Sequence, residues 1–532
     1  MRAVSIGAAV VTAVLLWAAS PAVGAGWLVW LAVVPVAGVV IAWPGTGAAR
    51  LAVPLAYALY LELLLVPALP FGLAEGQWGQ AALPILIGDS PLLPVALLVI
   101  PLFGALLYVI RFGEPWGAEL LGPRFSALAV VLVPAFAWTG LDLLRAKLEP
   151  GGSWGPLFLS QVDTPASELA TLGGPWLVTL AIVALNYGLA LALVRRRLAP
   201  ALVPAAAIAA TVAVSIGIEE QDPAERTIAV AAVQPGYDTS EDEEQRRLLH
   251  WEGGTFNLAA RALIRDLGGL TRVAAREGAE LVVWPEAVAF VNLRRRDRAR
   301  AALLRQARRS NVTIVAPYFD HASRRGAAFA LSPEGSAAAR PKQRPMWFLG
   351  EQGDATGPRP LEAAGARIGT LLGVDIQDPS LPRALATRDA EVITSSTHDW
   401  RQLATQHRAL AALGAEAAGT PVVRADWRYG SAIYDRDGDP LADAGEERRR
   451  TVLTARLEAG SPTAYAAIGN VVGWVSLIVA LAAGLVSTAA RRAATRAGAR
   501  SFGGRAPRRG SSRRRPSPAQ PRAGAGPSPP PP

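Results

Sequence analysis

The chain has 532 residues, 51% of them hydrophobic and 18% charged, with a net charge of +10 and no cysteine. That length exceeds one ordinary domain, and so apolar a composition points away from a soluble enzyme and toward membrane segments. The missing cysteine excludes disulfides, thiolate metal sites and thiol catalysis together. Apolar runs occur at about 4–23, 26–43, 49–69, 92–112, 125–143, 175–194, 199–218 and 467–489. Each approaches the length of about 20 residues that a helix needs to cross a roughly 30 Å hydrocarbon core. The first reads as a span rather than a cleaved leader, because the next run follows almost at once.

Positive charge collects on the cytoplasmic side of membrane proteins. With the N-terminus inside, the inner loops hold Arg2, Arg50, Arg111, Arg124 and Arg195 to Arg197, and Arg491 and Arg492 follow the last span. The outer loop from about 70 to 91 carries Glu75 and Asp89 and no basic residue. This places a domain of residues 219–466 on the extracytoplasmic side, between a seven-helix bundle at 1–218 and a final helix at 467–490. Residues 491–532 read as a disordered, basic, proline-rich cytoplasmic tail. Much of the arginine thus sits beside apolar segments and in the tail, and no nucleic-acid partner is expected.

The block at 219–466 alternates apolar strands with amphipathic helices. TIAVAAVQP, AELVVWPEA, VTIVAPYF, ARIGTLLGVDI, AEVITSS and PVVRADW read as strands, and FNLAARALIRDLGGLTRVAAREG and RQLATQHRALAALGAEAAG as helices. Such a rhythm predicts an α/β layered sandwich with its active groups at strand ends. AIYDRDGDPLA predicts a hairpin, with Asp437 and Gly438 at the turn.

Several segments in this order resemble the bacterial apolipoprotein N-acyltransferases of the nitrilase superfamily. They are VAAVQP at 230–235, VVWPEA at 282–287, the Lys342 segment ending in Gly350 and Glu351, and IGTLLGVDIQDP at 368–379. STHDW at 396–400, PVVRA at 421–425, YGSAIYDRDG at 429–438 and TAYAAIGN at 463–470 follow. The resemblance implies about eight transmembrane helices with an inserted α/β nitrilase-like domain, an αββα sandwich. It further implies acyl transfer from a membrane phospholipid to the amino terminus of a diacylglyceryl lipoprotein, with no cofactor and no metal. Glu286 matches the general base, Lys342 the oxyanion-stabilising lysine and Glu351 a further glutamate near the site. Lys147 and Lys342 are the only lysines in a chain that otherwise uses arginine, and a compact ammonium is not interchangeable with a guanidinium at such a position.

The family's cysteine nucleophile falls on Gly373, which has no side chain to hold an acyl group. Asp375, two residues on along an expected strand, would lie about 6.5 Å away, and its acyl anhydride would be far more labile than a thioester. Ser395 to Asp399 alternate faces and do not converge on one another. His250, His321 and His407 lack metal-ligand spacing and read as surface or packing residues. Three readings stay open. One is a degenerate acyltransferase that still binds phospholipid or lipoprotein and assists an active, cysteine-bearing relative. The second is an active N-acyltransferase by a cysteine-free route, the amine attacking the ester directly with Glu286 as base. The third and weakest is transport, since charges within the spans are few, Glu62 and Asp142 being the clearest. Trp78, Trp154 and Trp176 read as interfacial tryptophans, and Asn186 and Tyr187 as polar contacts inside the bundle.

Overall fold

The structure is a computed structural model. It describes residues 1–74, 123–147, 155–219, 226–236, 258–286, 289–291, 298–320, 323–335, 339–345, 351–353, 356–399 and 401–503. The expected span at 92–112, Trp78, Trp154, His250, His321 and the tail beyond 503 lie outside these residues. The chain divides into two compact units, residues 1–487 and 488–532.

Apolar helices open the chain: α1 (Arg2–Ala19), α2 (Val29–Ala32), α3 (Val34–Ala42), α4 (Gly47–Ala74), α5 (Pro123–Lys147), the short α6 (Leu169–Gly173), α7 (Pro175–Arg195) and α8 (Ala199–Glu219). Four segments of the described residues are long and apolar enough to cross a membrane: 2–19, 127–147, 175–195 and 199–217. Those at 26–42, 47–61 and 471–486 are apolar but shorter.

The run expected as one span at 26–43 is broken at Val33, and Asn186 of α7 fills the break. Its Oδ1 accepts the N–H groups of Val33 and Val34, at 2.8 and 3.1 Å, and its Nδ2 donates to Val29 O and Ile182 O. Amides freed where the helix is interrupted, far from water, must find such a partner. Trp176 is fully buried rather than interfacial, with Nε1 donating to Asn470 Oδ1 at 2.8 Å. Asp142, within α5, is paired with Arg145 and accepts from Thr179.

The second half is a four-layer sandwich. One sheet contains β1 (Thr227–Gln234), β2 (Leu281–Val283), β3 (Ala289–Val291), β4 (Thr313–Asp320), β5 (Arg325–Leu331), β6 (Arg340–Pro341) and β13 (Thr451–Glu458), in the order β13-β1-β2-β4-β5-β6 with β3 on β4. The other runs β12-β11-β10-β9-β8-β7, from β7 (Leu361–Ala363), β8 (Ala366–Leu372), β9 (Val392–Thr397), β10 (Val422–Asp426), β11 (Ala432–Tyr434) and β12 (Pro440–Asp443). Strands β1, β2 and β4 are mutually parallel, as are β8, β9 and β10. Strand β1 also pairs antiparallel with β13 along its whole length, Thr227 opposite Glu458.

Ile228, Val230 and Val283 of one sheet meet Ile368, Leu372, Val392 and Val423 of the other in a shared core. The outer face of the first sheet is covered by α9 (Leu258–Arg276) and α10 (Arg298–Ser310), through Leu263, Leu267 and Leu303. On the second sheet, α11 (Ser380–Ala386) and α12 (Arg401–Ala418) contribute Leu385, Leu410 and Leu413 to a cluster continuous with the apolar bundle. This is the expected αββα order. The expected hairpin joins β11 to β12, with Gly438 at φ +86° and Asp435 Oδ1 accepting the N–H groups of Asp437 and Asp439.

After α13 (Ala464–Ile468), α14 (Val471–Gly503) runs past the expected boundary at 490 into the segment read as disordered tail. Alanine and arginine, which dominate 489–500, are both strong helix formers, so lack of a core does not prevent a helix there. Helix α14 approaches α5 closely: a Cβ at Gly140 would lie 2.7 Å from the Leu477 backbone.

Candidate functional site

Glu286, Lys342, Glu351 and Gly373, far apart in sequence, meet at one edge of the sandwich. Glu286 follows β2 through Trp284 and Pro285, and its N–H donates to Thr397 O at the end of β9, at 3.3 Å. Its own carbonyl accepts Trp427 Nε1 at 2.8 Å from a fully buried indole. The glutamate backbone is thus gripped by the second sheet on both sides. Lys342 follows β6, its N–H donating to Gly326 O, and its side chain is only 2% exposed.

Lys342 Nζ lies 3.0 Å from Glu286 Oε1 and 3.2 Å from Glu351 Oε2, so two carboxylates share one ammonium. Burial pulls the lysine down, but Glu286, Glu351 and Asp375 outweigh it and hold the ammonium above the usual lysine range. Burial lifts the Glu286 carboxyl above its ordinary value; Lys342 opposes that rise and Glu351 adds to it.

Gly373 follows β8 directly and begins a 3-10 turn, Gly373–Gln377, at φ +51°. A Cβ there would fall 2.5 Å from Glu286 Oε2 and 2.7 Å from Oε1. The glutamate carboxylate therefore occupies the space that any side chain at 373 would enter.

Asp375 is not on a strand, as the sequence reading assumed, but in this turn, because the chain tightens where β8 ends. Its buried carboxylate accepts the N–H groups of Leu372 (3.0 Å), Gln343 (3.1 Å) and Arg344 (2.6 Å), tying the turn to the Lys342 loop. Burial raises its pKa from 3.8 to about 7 against the pull of Lys342 and of these N–H groups. The carboxylate is consumed by backbone and is not presented as a nucleophile.

His398 and Asp399, just beyond the end of β9, diverge. The His398 ring lies 5.9 Å from that of Trp427, whereas Asp399 turns inward to His407 Nδ1, at 2.8 Å, and to Arg424 Nη2. His407, fully buried, also meets Gln377 Nε2 at 2.8 Å and so packs against the far end of the Gly373 turn.

Sequence reasoning missed a second cluster beside the site. Arg344 donates to the carbonyls of Ala146 (2.9 Å) and Lys147 (3.3 Å) at the end of α5, and pairs with Asp378. Lys147 Nζ reaches Asp378 at 3.1 Å and the Ser380 hydroxyl. The rarity of lysine was the one signal in the sequence that marked Lys147. Trp427, which supports Glu286, carried none beyond its place after a strand.

A fold of two facing α/β sheets with glutamate, lysine and a tight turn at their common edge is that of the carbon-nitrogen hydrolases. Residues 229–467 match that family. The chain is similar to an apolipoprotein N-acyltransferase of Pseudomonas putida, 29% identical over 223 residues. The match spans 41% of this chain and 41% of that relative's length. Among solved structures, a carbon-nitrogen hydrolase from Helicobacter pylori is 13% identical, covering 44% of this chain and 89% of its own, with a TM-score of 0.35. A nitrilase-superfamily amidase from Nesterenkonia is 18% identical, covering 43% of this chain and 90% of its own, also at 0.35.

Proposed function

We propose that this protein is an apolipoprotein N-acyltransferase-like membrane protein whose nitrilase-like domain faces away from the cytoplasm and binds without transferring. Its partners in this reading are membrane phospholipid and diacylglyceryl lipoprotein, with an active, cysteine-bearing relative as the enzyme it assists. The family reaction parks an acyl chain on a thiol and passes it to an amine. That needs a nucleophile flanked by a base and an oxyanion-stabilising cation.

The observation that carries the reading is the contact at Gly373. Glu286 and Lys342, which this reading takes as base and ammonium, lie 3.0 Å apart, but residue 373 offers no side chain to acylate, and the Glu286 carboxylate fills the space a Cβ there would enter. Asp375, the nearest other candidate, is held by three backbone N–H groups.

The test uses the full chain in phospholipid vesicles with a synthetic diacylglyceryl peptide, read by mass spectrometry for amide formation and by fluorescence for binding. The expected result is peptide binding with no N-acyl product. Product formation that disappears in Glu286→Gln would refute the non-catalytic reading and establish the direct, cysteine-free route. Lack of peptide binding would remove the lipoprotein partner.

A further inference from the structure

The end of α5 and the Lys342 loop are built as one piece, and Arg344 joins them. The last carbonyls of a helix have no intrahelical donor and carry the negative end of its dipole. At the end of α5 two of them, on Ala146 and Lys147, are met by the Arg344 guanidinium, a planar fork suited to two acceptors at once. The same guanidinium pairs with Asp378, which also holds Lys147 Nζ at 3.1 Å. Toward the site, the Arg344 N–H donates to Asp375 at 2.6 Å, and Gln343 N–H to the same carboxylate at 3.1 Å. Lys342, the next residue back, reaches Glu286 and Glu351.

Three successive residues thus span from the ammonium of the site to the final turn of an apolar helix. Asp378 lies on the segment that continues from the Gly373 turn, so both sides of the site are fastened to α5. The cluster is partly open, with Lys147 29% and Arg344 20% exposed. It is therefore not a core ion pair sealed by packing alone.

We infer that Arg344 is a positioning residue, which sets the place of Lys342 between its two carboxylates by anchoring the Lys342 loop to the C-terminal end of α5. The ammonium of the site is then held from the membrane domain and not by the sandwich alone. This stands whether or not the site transfers an acyl group, because it concerns where Lys342 is held and not what it does.

The chain offers a clean readout, since Lys147 and Lys342 are its only lysines. Competitive labelling of the full-length protein with an acylating reagent across pH 8 to 11, quantified by peptide mass spectrometry, follows each amine separately. In the parent chain Lys342 labels slowly, its ammonium being stabilised by Glu286 and Glu351. In Arg344→Ala the loop is released, Lys342 leaves its carboxylates, and its labelling at a given pH rises about tenfold for each unit by which its titration falls. Lys147 keeps Asp378 and changes less than about twofold, well short of what one such unit gives. Arg344→Lys, which keeps the charge toward Asp378 but cannot fork onto two carbonyls, gives an intermediate rate at Lys342. It serves as the milder variant if Arg344→Ala does not fold. An unchanged Lys342 profile in both variants, or an equal rise at Lys147 and Lys342, overturns the inference.

Discussion

Restoring a side chain at Gly373 tests whether the Glu286 carboxylate truly occupies the nucleophile's space. Two costs apply to Gly373→Ala. The φ of +51° is left-handed, which for a residue with a Cβ costs roughly 1–2 kcal/mol. The new Cβ also arrives 2.5 Å from Glu286 Oε2, so the carboxylate must withdraw, weakening its charged hydrogen bond to Lys342, an interaction of about 1.5–3 kcal/mol. Partial retention of that bond puts the total at roughly 2–4 kcal/mol, or a fall of about 4–16 °C in the unfolding midpoint of a domain this size. In a Glu286→Ala background the obstruction is gone and only backbone strain remains, so the two substitutions are non-additive by about 1 kcal/mol or more. Thermal unfolding in detergent, followed by protease susceptibility, measures all four corners of the cycle. A Gly373→Ala chain as stable as the parent, or equally destabilised with and without Glu286, would refute the overlap. Gly373→Cys carries the same cost and adds the chain's sole thiol. Alkylation then reports one site, and a gain of acyl mass on incubation with phospholipid is the expected sign that the vacancy, and not the surroundings, blocks thioester formation.

The Asp375 carboxyl titrates near 7 in the folded chain against an ordinary 3.8. A carboxyl raised on folding contributes most below its unfolded value and loses that contribution as pH climbs to the folded one. Stability measured between those two values should therefore decline with rising pH, and Asp375→Asn should flatten that decline; an unchanged slope would contradict it. In the bundle, Asn186→Leu removes the side-chain acceptor of the Val33 and Val34 N–H groups and the side-chain donor to the carbonyl of Val29. Each unpaired buried group costs about 1–3 kcal/mol, and a marked drop in resistance to detergent-induced unfolding is expected. Wild-type resistance in Asn186→Leu would show that the break at Val33 does not depend on the amide.

Layer order in the domain was legible because the strands announce themselves. TIAVAAVQ and LVV are buried nearly throughout, and parallel strands covered on both faces read as unbroken apolar runs. Glu286 and Lys342 were legible from the Trp-Pro-Glu context and the scarcity of lysine. What was not legible depends on contacts between distant segments. Nothing local to Asp375 says that its acceptors lie at Gln343 and Arg344, and nothing local to Arg344 says that it ends a helix two hundred residues earlier. Hydropathy found the run at 26–43 but not its break, because Val33 and Val34 are as apolar as their neighbours and the cause is an asparagine on another helix. The extension of α14 to Gly503 was missed because a basic, core-free composition was read as disorder although its residues favour a helix.

The pairing of β1 with β13 sets a condition on how the chain is made. The first strand of the domain finds its outer neighbour only some two hundred residues later, when Thr451–Glu458 has been synthesised. Pairings so far apart in sequence form slowly, because a long loop must close before any contact rewards it. Until then one edge of β1 stands open, a template for unwanted strands. The domain thus reaches its finished form only once synthesis has come within a few residues of the last apolar helix.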